Sequence, residues 1–83
     1  MSNIIISATV EKIGEKSYKL TAKHPATAEG TIVVASSGKT LESSSKTISP
    51  NTKTTSWTSK ILPAPVEGDR FVFTLDNDFD VIY

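Results

Sequence analysis

The sequence contains no cysteine. A disulfide framework, a cysteine-based zinc site and a cysteine nucleophile are therefore excluded, and the absence agrees with folding in a reducing compartment. Histidine is almost as scarce. His24 stands alone, so no set of histidines can ligate zinc. The four glycines, at 14, 30, 38 and 68, are too far apart to cradle a phosphate. No apolar run is long enough for a membrane helix. Met1-Ser2-Asn3 lacks a basic n-region and Ile4-Ile5-Ile6 is too short for a signal core, so no secretory leader is expected. Met1 is taken as the start of a complete small protein. No window repeats with a helical period.

Hydroxyl side chains are plentiful. Eleven serines and eleven threonines fill more than a quarter of the 83 residues. Threonine suits a pleated strand, and both residues compete with helical backbone bonds. This composition argues for an all-β chain, and its length for a single domain over 1–83. A domain of this size buries a modest share of its surface and depends on efficient packing.

The alternation of apolar and polar residues marks the strands. Asn3 to Val10 is the first, with Ile4, Ile6, Ala8 and Val10 on one face. Lys16 to Lys23 is the second, with Tyr18, Leu20 and Ala22 turned inward; His24-Pro25 ends it. Thr31 to Ser36 is the third. Lys39 to Ile48 is a fourth, edge strand. Its anchors Leu41 and Ile48 differ in parity, which a bulge or a break near Ser43-Ser44-Ser45 would reconcile. Thr52 to Leu62 is the fifth, with Thr55, Trp57, Ser59 and Ile61 on one face. Pro63-Ala64-Pro65 is a stiff crossing. Asp69 to Tyr83 is a hairpin that supplies strands six and seven. It carries four of the six aromatics, Phe71, Phe73, Phe79 and Tyr83, and is expected to donate most of the core. Seven short strands at this spacing predict an immunoglobulin-like β-sandwich, with a small open barrel as the alternative.

The formal charge is zero but divided. Residues 1–60 hold all eight lysines against four glutamates, a net of +4, while residues 61–83 hold Arg70 against five carboxylates, a net of −4. Such a chain lacks the concentrated positive face that nucleic acid requires. It suits association of a basic surface with an acidic one.

Few residues invite chemistry. Asp76, Asp78 and Asp80 have the alternate spacing of a calcium loop, but Val81 stands where glycine is needed and no glutamate follows, so hairpin-turn chemistry is the better account. No metal or other cofactor is expected. His24 lies before a proline and is expected to be an exposed loop residue without catalytic duty. Trp57 is expected to plug the core, given its register with Ile61; exposed, it would stack on a sugar ring or anchor a partner. The hydroxyl-rich stretch from Ser43 to Thr58 is either a solvated edge or a site of strand addition. Lys46, Lys53 and Lys60 recur along it every seven residues, as guards against nonspecific pairing. Lys46, Lys53, Trp57, Lys60, Asp76, Asp78 and Asp80 are thus the candidate interaction residues.

With Ser/Thr-rich strands, no cysteine, no leader and a short reading frame, the chain resembles the small immunoglobulin-like accessory proteins of bacteriophage particles. The segment Thr47-Ile48-Ser49-Pro50-Asn51-Thr52 is similar to a turn-into-strand element common in bacterial and phage immunoglobulin-like domains. The resemblance implies a non-enzymatic decoration or tail component in the virion, or in the cytoplasm of the producing cell, partnered by itself or by a larger viral assembly. It implies no catalytic residues. Two other functions fit the residues: a glycan- or surface-binding module using Trp57, and a protease inhibitor presenting His24 to Gly30 or Pro63 to Gly68. Neither nucleic acid nor a membrane is an expected partner.

Overall fold

A computed structural model describes residues 3–83; Met1 and Ser2, part of the stretch read for a leader, lie outside them. The described chain is all β: β1 (Ser7–Lys12), β2 (Ser17–Lys23), β3 (Thr31–Ser36), β4 (Thr40–Leu41), β5 (Ser45–Thr47), β6 (Thr54–Leu62), β7 (Arg70–Thr74) and β8 (Asp78–Ile82). They form two four-stranded sheets, β1-β2-β6-β4 and β5-β3-β7-β8, with every pairing antiparallel. The sheets do not close into a barrel, and β1-β2-β6 against β3-β7-β8 is the immunoglobulin-like arrangement. No helix long and apolar enough to cross a membrane occurs among the described residues.

Eight strands appear where seven are expected because the fourth is divided. β4 pairs with the end of β6, and β5 pairs with the start of β3. The edge strand thus crosses from one sheet to the other at Glu42–Ser44. The crossing resolves the parity conflict: Ile48 is buried and Leu41 packs at the core margin.

The core lies between the sheets. Tyr18, Leu20 and Ala22 from β2, Ile32 and Val34 from β3, Ile61 from β6, and Phe71 and Phe73 from β7 are its buried centre. Leu75, Phe79, Val81 and Tyr83 pack around it, so the closing hairpin is the aromatic donor that its alternation predicts. The Tyr83 ring meets Tyr18 and Phe71 edge-on, with centroids 6.0 and 6.4 Å away. Edge-to-face contacts align the positive rim of one ring with the negative face of another.

The first strand departs from its expected register. Ile5 is buried whereas Ile4 and Ile6 are exposed. Ala8 and Val10 then resume the inward face, so parity changes between Ile5 and Ala8, and β1 begins only at Ser7. The cause is the β7–β8 turn. Asn77 Oδ1 accepts the Ile5 N–H at 2.7 Å, and Asn77 Nδ2 donates to the Ile5 carbonyl at 3.1 Å. One side-chain amide replaces a ladder partner, and Asp76 N–H to the Asn3 carbonyl adds a third bond at 3.1 Å. Asn3 and Ile5 therefore bond to the hairpin, while the Ile6 N–H still donates to the Lys23 carbonyl of β2 at 2.7 Å.

Asn77→Ala leaves both Ile5 backbone groups without this partner. The expected loss is about 1–3 kcal/mol in urea unfolding, together with faster exchange of the Ile5 amide. An unchanged midpoint would mean that burial of Ile5 alone holds the segment.

Candidate functional site

Ser43 sits where the edge strand changes sheets, and two inward side chains of β6 satisfy its backbone. Ser59 Oγ accepts the Ser43 N–H at 2.9 Å and donates to the Lys60 carbonyl at 2.8 Å. Trp57 Nε1 donates to the Ser43 carbonyl at 2.8 Å. Both residues share the inward face of β6 with Thr55 and Ile61 because strand side chains alternate. The expectation of Trp57 as core plug is corrected: its indole is half-buried at the margin, held there by the bond to Ser43, and Tyr18 and Phe71 fill the centre.

Beside this pin an open groove of about 580 Å³ runs along the sandwich edge, lined by Lys19, Ser43, Ser45, Lys46, Ser56, Trp57 and Thr58. β4 covers only the C-terminal end of β6, so the groove follows the stretch of β6 that the edge strand has abandoned. An indole, two ammonium groups and several hydroxyls converge there. That chemistry suits an extended backbone, a sugar face or a carboxylate.

The other candidates are dispersed. Lys53 lies in the turn before β6 and Lys60 on the outer face of the first sheet, so the seven-residue lysine spacing does not define one surface. Asp76 is in the β7–β8 turn, while Asp78 and Asp80 stand on the outer face of β8. Asp78 Oδ1 accepts a bond from Thr74 Oγ1 at 3.0 Å, and Asp80 lies 3.6 Å from Arg70. Both members of that ion pair are more than half exposed, so it adds little stability. No group of three or more acidic, histidine or cysteine side chains able to hold a metal occurs among the described residues. Lys19 enters the groove with no motif to mark it; its outward position in β2 is the one available signal.

His24 is buried, which corrects the expectation of an exposed loop residue. Its backbone N–H reaches the Lys53 carbonyl at 3.0 Å, extending the β2–β6 ladder by one residue. His24 therefore keeps the inward parity of Tyr18, Leu20 and Ala22. Its Nδ1 lies 3.0 Å from the Pro25 carbonyl, which can only accept, so Nδ1 carries a proton. Nε2 lies 2.7 Å from Thr55 Oγ1. Both ring nitrogens are engaged in structure. The inhibitor-like loops are also tied down, since Ala28 in the first and Pro65 in the second are buried.

A second polar cluster joins the sheets' ends. Gly38 and Gly68, with φ of 72° and 97°, occupy the third positions of two turns closed by Lys39 N–H to Ser36 O and Asp69 N–H to Val66 O. Positive φ at that position favours glycine. The turns place Lys39 Nζ 3.1 Å from Asp69 Oδ2. The Val66 N–H, donating to the same carboxylate at 2.8 Å, and then Lys39 hold the Asp69 carboxyl below its ordinary value of 3.8, against a smaller opposing effect of burial.

Comparison with known proteins finds no matching family model, no matching curated protein and no matching solved structure.

Thr55→Val leaves the buried Nε2 of His24 without its partner and is expected to cost about 1–3 kcal/mol in thermal or urea unfolding; a smaller change would show the hydroxyl to be idle. Because the folded-state pKa of Asp69 is depressed, its ionised form stabilises the fold above the ordinary aspartate range. That contribution fades as pH falls through the lower folded value. The stability gap between wild type and Asp69→Asn should accordingly stay constant from neutral pH to about 5 and shrink in more acid solution. A gap independent of pH would refute the assignment.

Proposed function

We propose that this chain is a non-enzymatic structural module that associates with copies of itself or docks on a larger protein assembly. The observation that carries the reading is the opposed charge of its two outer sheet faces. Strand register sets Lys19, Lys23 and Lys60, with Glu11, on the outside of the first sheet. On the outside of the second it sets Asp78 and Asp80, with Arg70. One copy thus offers a basic face and an acidic one, which favours ordered association over binding to a polyanion. The use of the lone histidine in packing supports a non-enzymatic role. The likeness to phage accessory modules supplies the setting, a virus particle.

A second reading has its own observation. Trp57 lies in an open, hydroxyl-lined groove, where an indole stacks on a sugar ring. Titration with neutral and acidic oligosaccharides, followed by Trp57 fluorescence, tests it; an emission that never moves would eliminate it.

Sedimentation over a range of concentration and salt tests the leading proposal. Association should strengthen with concentration and weaken at high salt. Asp78→Lys with Asp80→Lys should reduce it at least tenfold with the unfolding midpoint nearly unchanged. A strictly monomeric protein that binds no larger assembly would sink the reading.

A further inference from the structure

The sandwich has an unpaired notch on one sheet and a free strand of matching length on the other. In β6, backbone bonds of Lys16 with Ile61 and of His24 with Lys53 show that odd-numbered residues face β2. The bond from Glu42 N–H to Lys60 O shows even-numbered residues facing the β4 side. Antiparallel pairing alternates in this way along its whole length. β4 reaches only Lys60 to Leu62, so Thr54, Ser56 and Thr58 direct their backbone N–H and C=O groups outward, with no backbone partner among the described residues. Within this five-residue stretch, 54–58, Ser56, Trp57 and Thr58 line the groove.

β8 presents the complement. Its odd residues face β7, as the bonds Leu75 N–H to Asn77 O and Tyr83 N–H to Asp69 O establish. Asp78, Asp80 and Ile82 therefore turn their backbone groups outward. The strand is five residues long, Asp78–Ile82. Two of its three exposed side chains, Asp78 and Asp80, are acidic, the third being Ile82, where the notch is flanked by Lys19 and Lys46.

We infer that β8 of one copy adds antiparallel to the notch of the next, with Thr58 opposite Asp78, Ser56 opposite Asp80 and Thr54 opposite Ile82. This rests on the self-association proposed above and specifies its interface. Three features set the register. β4 blocks the notch beyond Lys60, so the incoming strand starts at Asp78. Asp78 then lies diagonal to Lys60 and, across Thr58, in line with Lys19, which pairs with Thr58 in the ladder. Two strand spacings, roughly 9–10 Å, are within the combined reach of a lysine and an aspartate side chain. Finally, the residues that direct backbone outward in both strands also carry the outward side chains, so joining them continues one outer face into the other. The interface uses different surfaces on the two copies and is heterologous.

The absence of cysteine makes the register directly testable. Thr58→Cys and Asp78→Cys proteins, mixed and treated with a short thiol-to-thiol crosslinker, should give a covalent heterodimer, because side chains opposite each other in a hydrogen-bonded antiparallel pair stand about 5.5 Å apart, beyond a direct disulfide and within reach of such a reagent. Mixing Thr54→Cys with Asp78→Cys should give at least tenfold less. Ser56→Pro removes an outward N–H that the fold does not use, and should weaken sedimentation-detected association at least tenfold with an unchanged melting profile. If wild type associates while Ser56→Pro associates equally, or if the two cysteine pairs crosslink alike, this interface is wrong and the self-association reading survives. If wild type neither self-associates nor binds any assembly, both fall. Should Ser56→Pro fail to fold, the cysteine pairs decide.

Discussion

The backbone of Ser43 is the point on which the edge of this sandwich depends. A strand that leaves one ladder for another abandons backbone groups that need new partners. Here β6 supplies them from side chains, Ser59 for the N–H and Trp57 for the carbonyl. With those groups satisfied, the strand can serve both sheets: Leu41 packs at the margin of one and Ile48 is buried beneath the other. The same arrangement holds the indole at the rim and leaves the first half of β6 paired on one side only, with β2. A single local solution thus determines the margin of the core, the groove and the free edge.

The opposite margin is closed by a related device. There the β7–β8 turn offers Asn77, whose amide bonds both backbone groups of Ile5. In each case a polar side chain takes the place of a ladder residue where the chain departs from regular pairing. A domain of this length has a total stability of about 4–12 kcal/mol, so one such pin, about 1–3 kcal/mol when its partner is deleted, is a sizeable fraction. The aromatic centre provides the bulk of burial, and these polar pins decide where the strands end.

Much of the fold was legible in the alternation of single residues. Phe71 and Phe73 declared the core face of the hairpin, and the parity clash between Leu41 and Ile48 pointed to a bulge or a break near Ser43–Ser45, where the chain crosses sheets at Glu42–Ser44. What failed were places where a side chain from a distant strand overrides local pattern. Ile4 and Ile6 match the phase of Ala8 and Val10, yet Ile5 is the buried one, because its partner Asn77 lies 72 positions away. His24 looked like a loop residue on account of Pro25, although its even number continued the inward series of Tyr18, Leu20 and Ala22. Trp57 shared the inward face of Ile61, but facing inward at a strand's uncovered end means facing the rim. The lysines at 46, 53 and 60 shared a spacing and no surface, since Lys46 lies on β5 of the second sheet, Lys53 in the turn before β6 and Lys60 on the outer face of the first sheet. Of the candidate lysines and Trp57, only Lys46 and Trp57 line one groove, while Asp78 and Asp80 share the outer face of β8; no sequence rule placed Lys19 beside the groove pair.

An uncovered sheet edge normally carries devices that prevent indiscriminate pairing, such as short strands and inward or flanking charge. The notch and β8, two of the edges of this sandwich, carry charge of opposite sign: lysines beside the abandoned stretch of β6 and aspartates along β8. Like charges repel when two identical edges approach, so β8 opposes β8 and the notch opposes the notch. The pairing left unopposed is of one kind of edge with the other. In the self-association proposed above, guarding by sign would act as a selector, excluding symmetric contacts of these edges while permitting the asymmetric one. A contact of that kind would leave a free notch at one end of any open assembly and a free β8 at the other, so the strand twist, and not the chemistry of the edge, would determine whether copies close into a ring or extend.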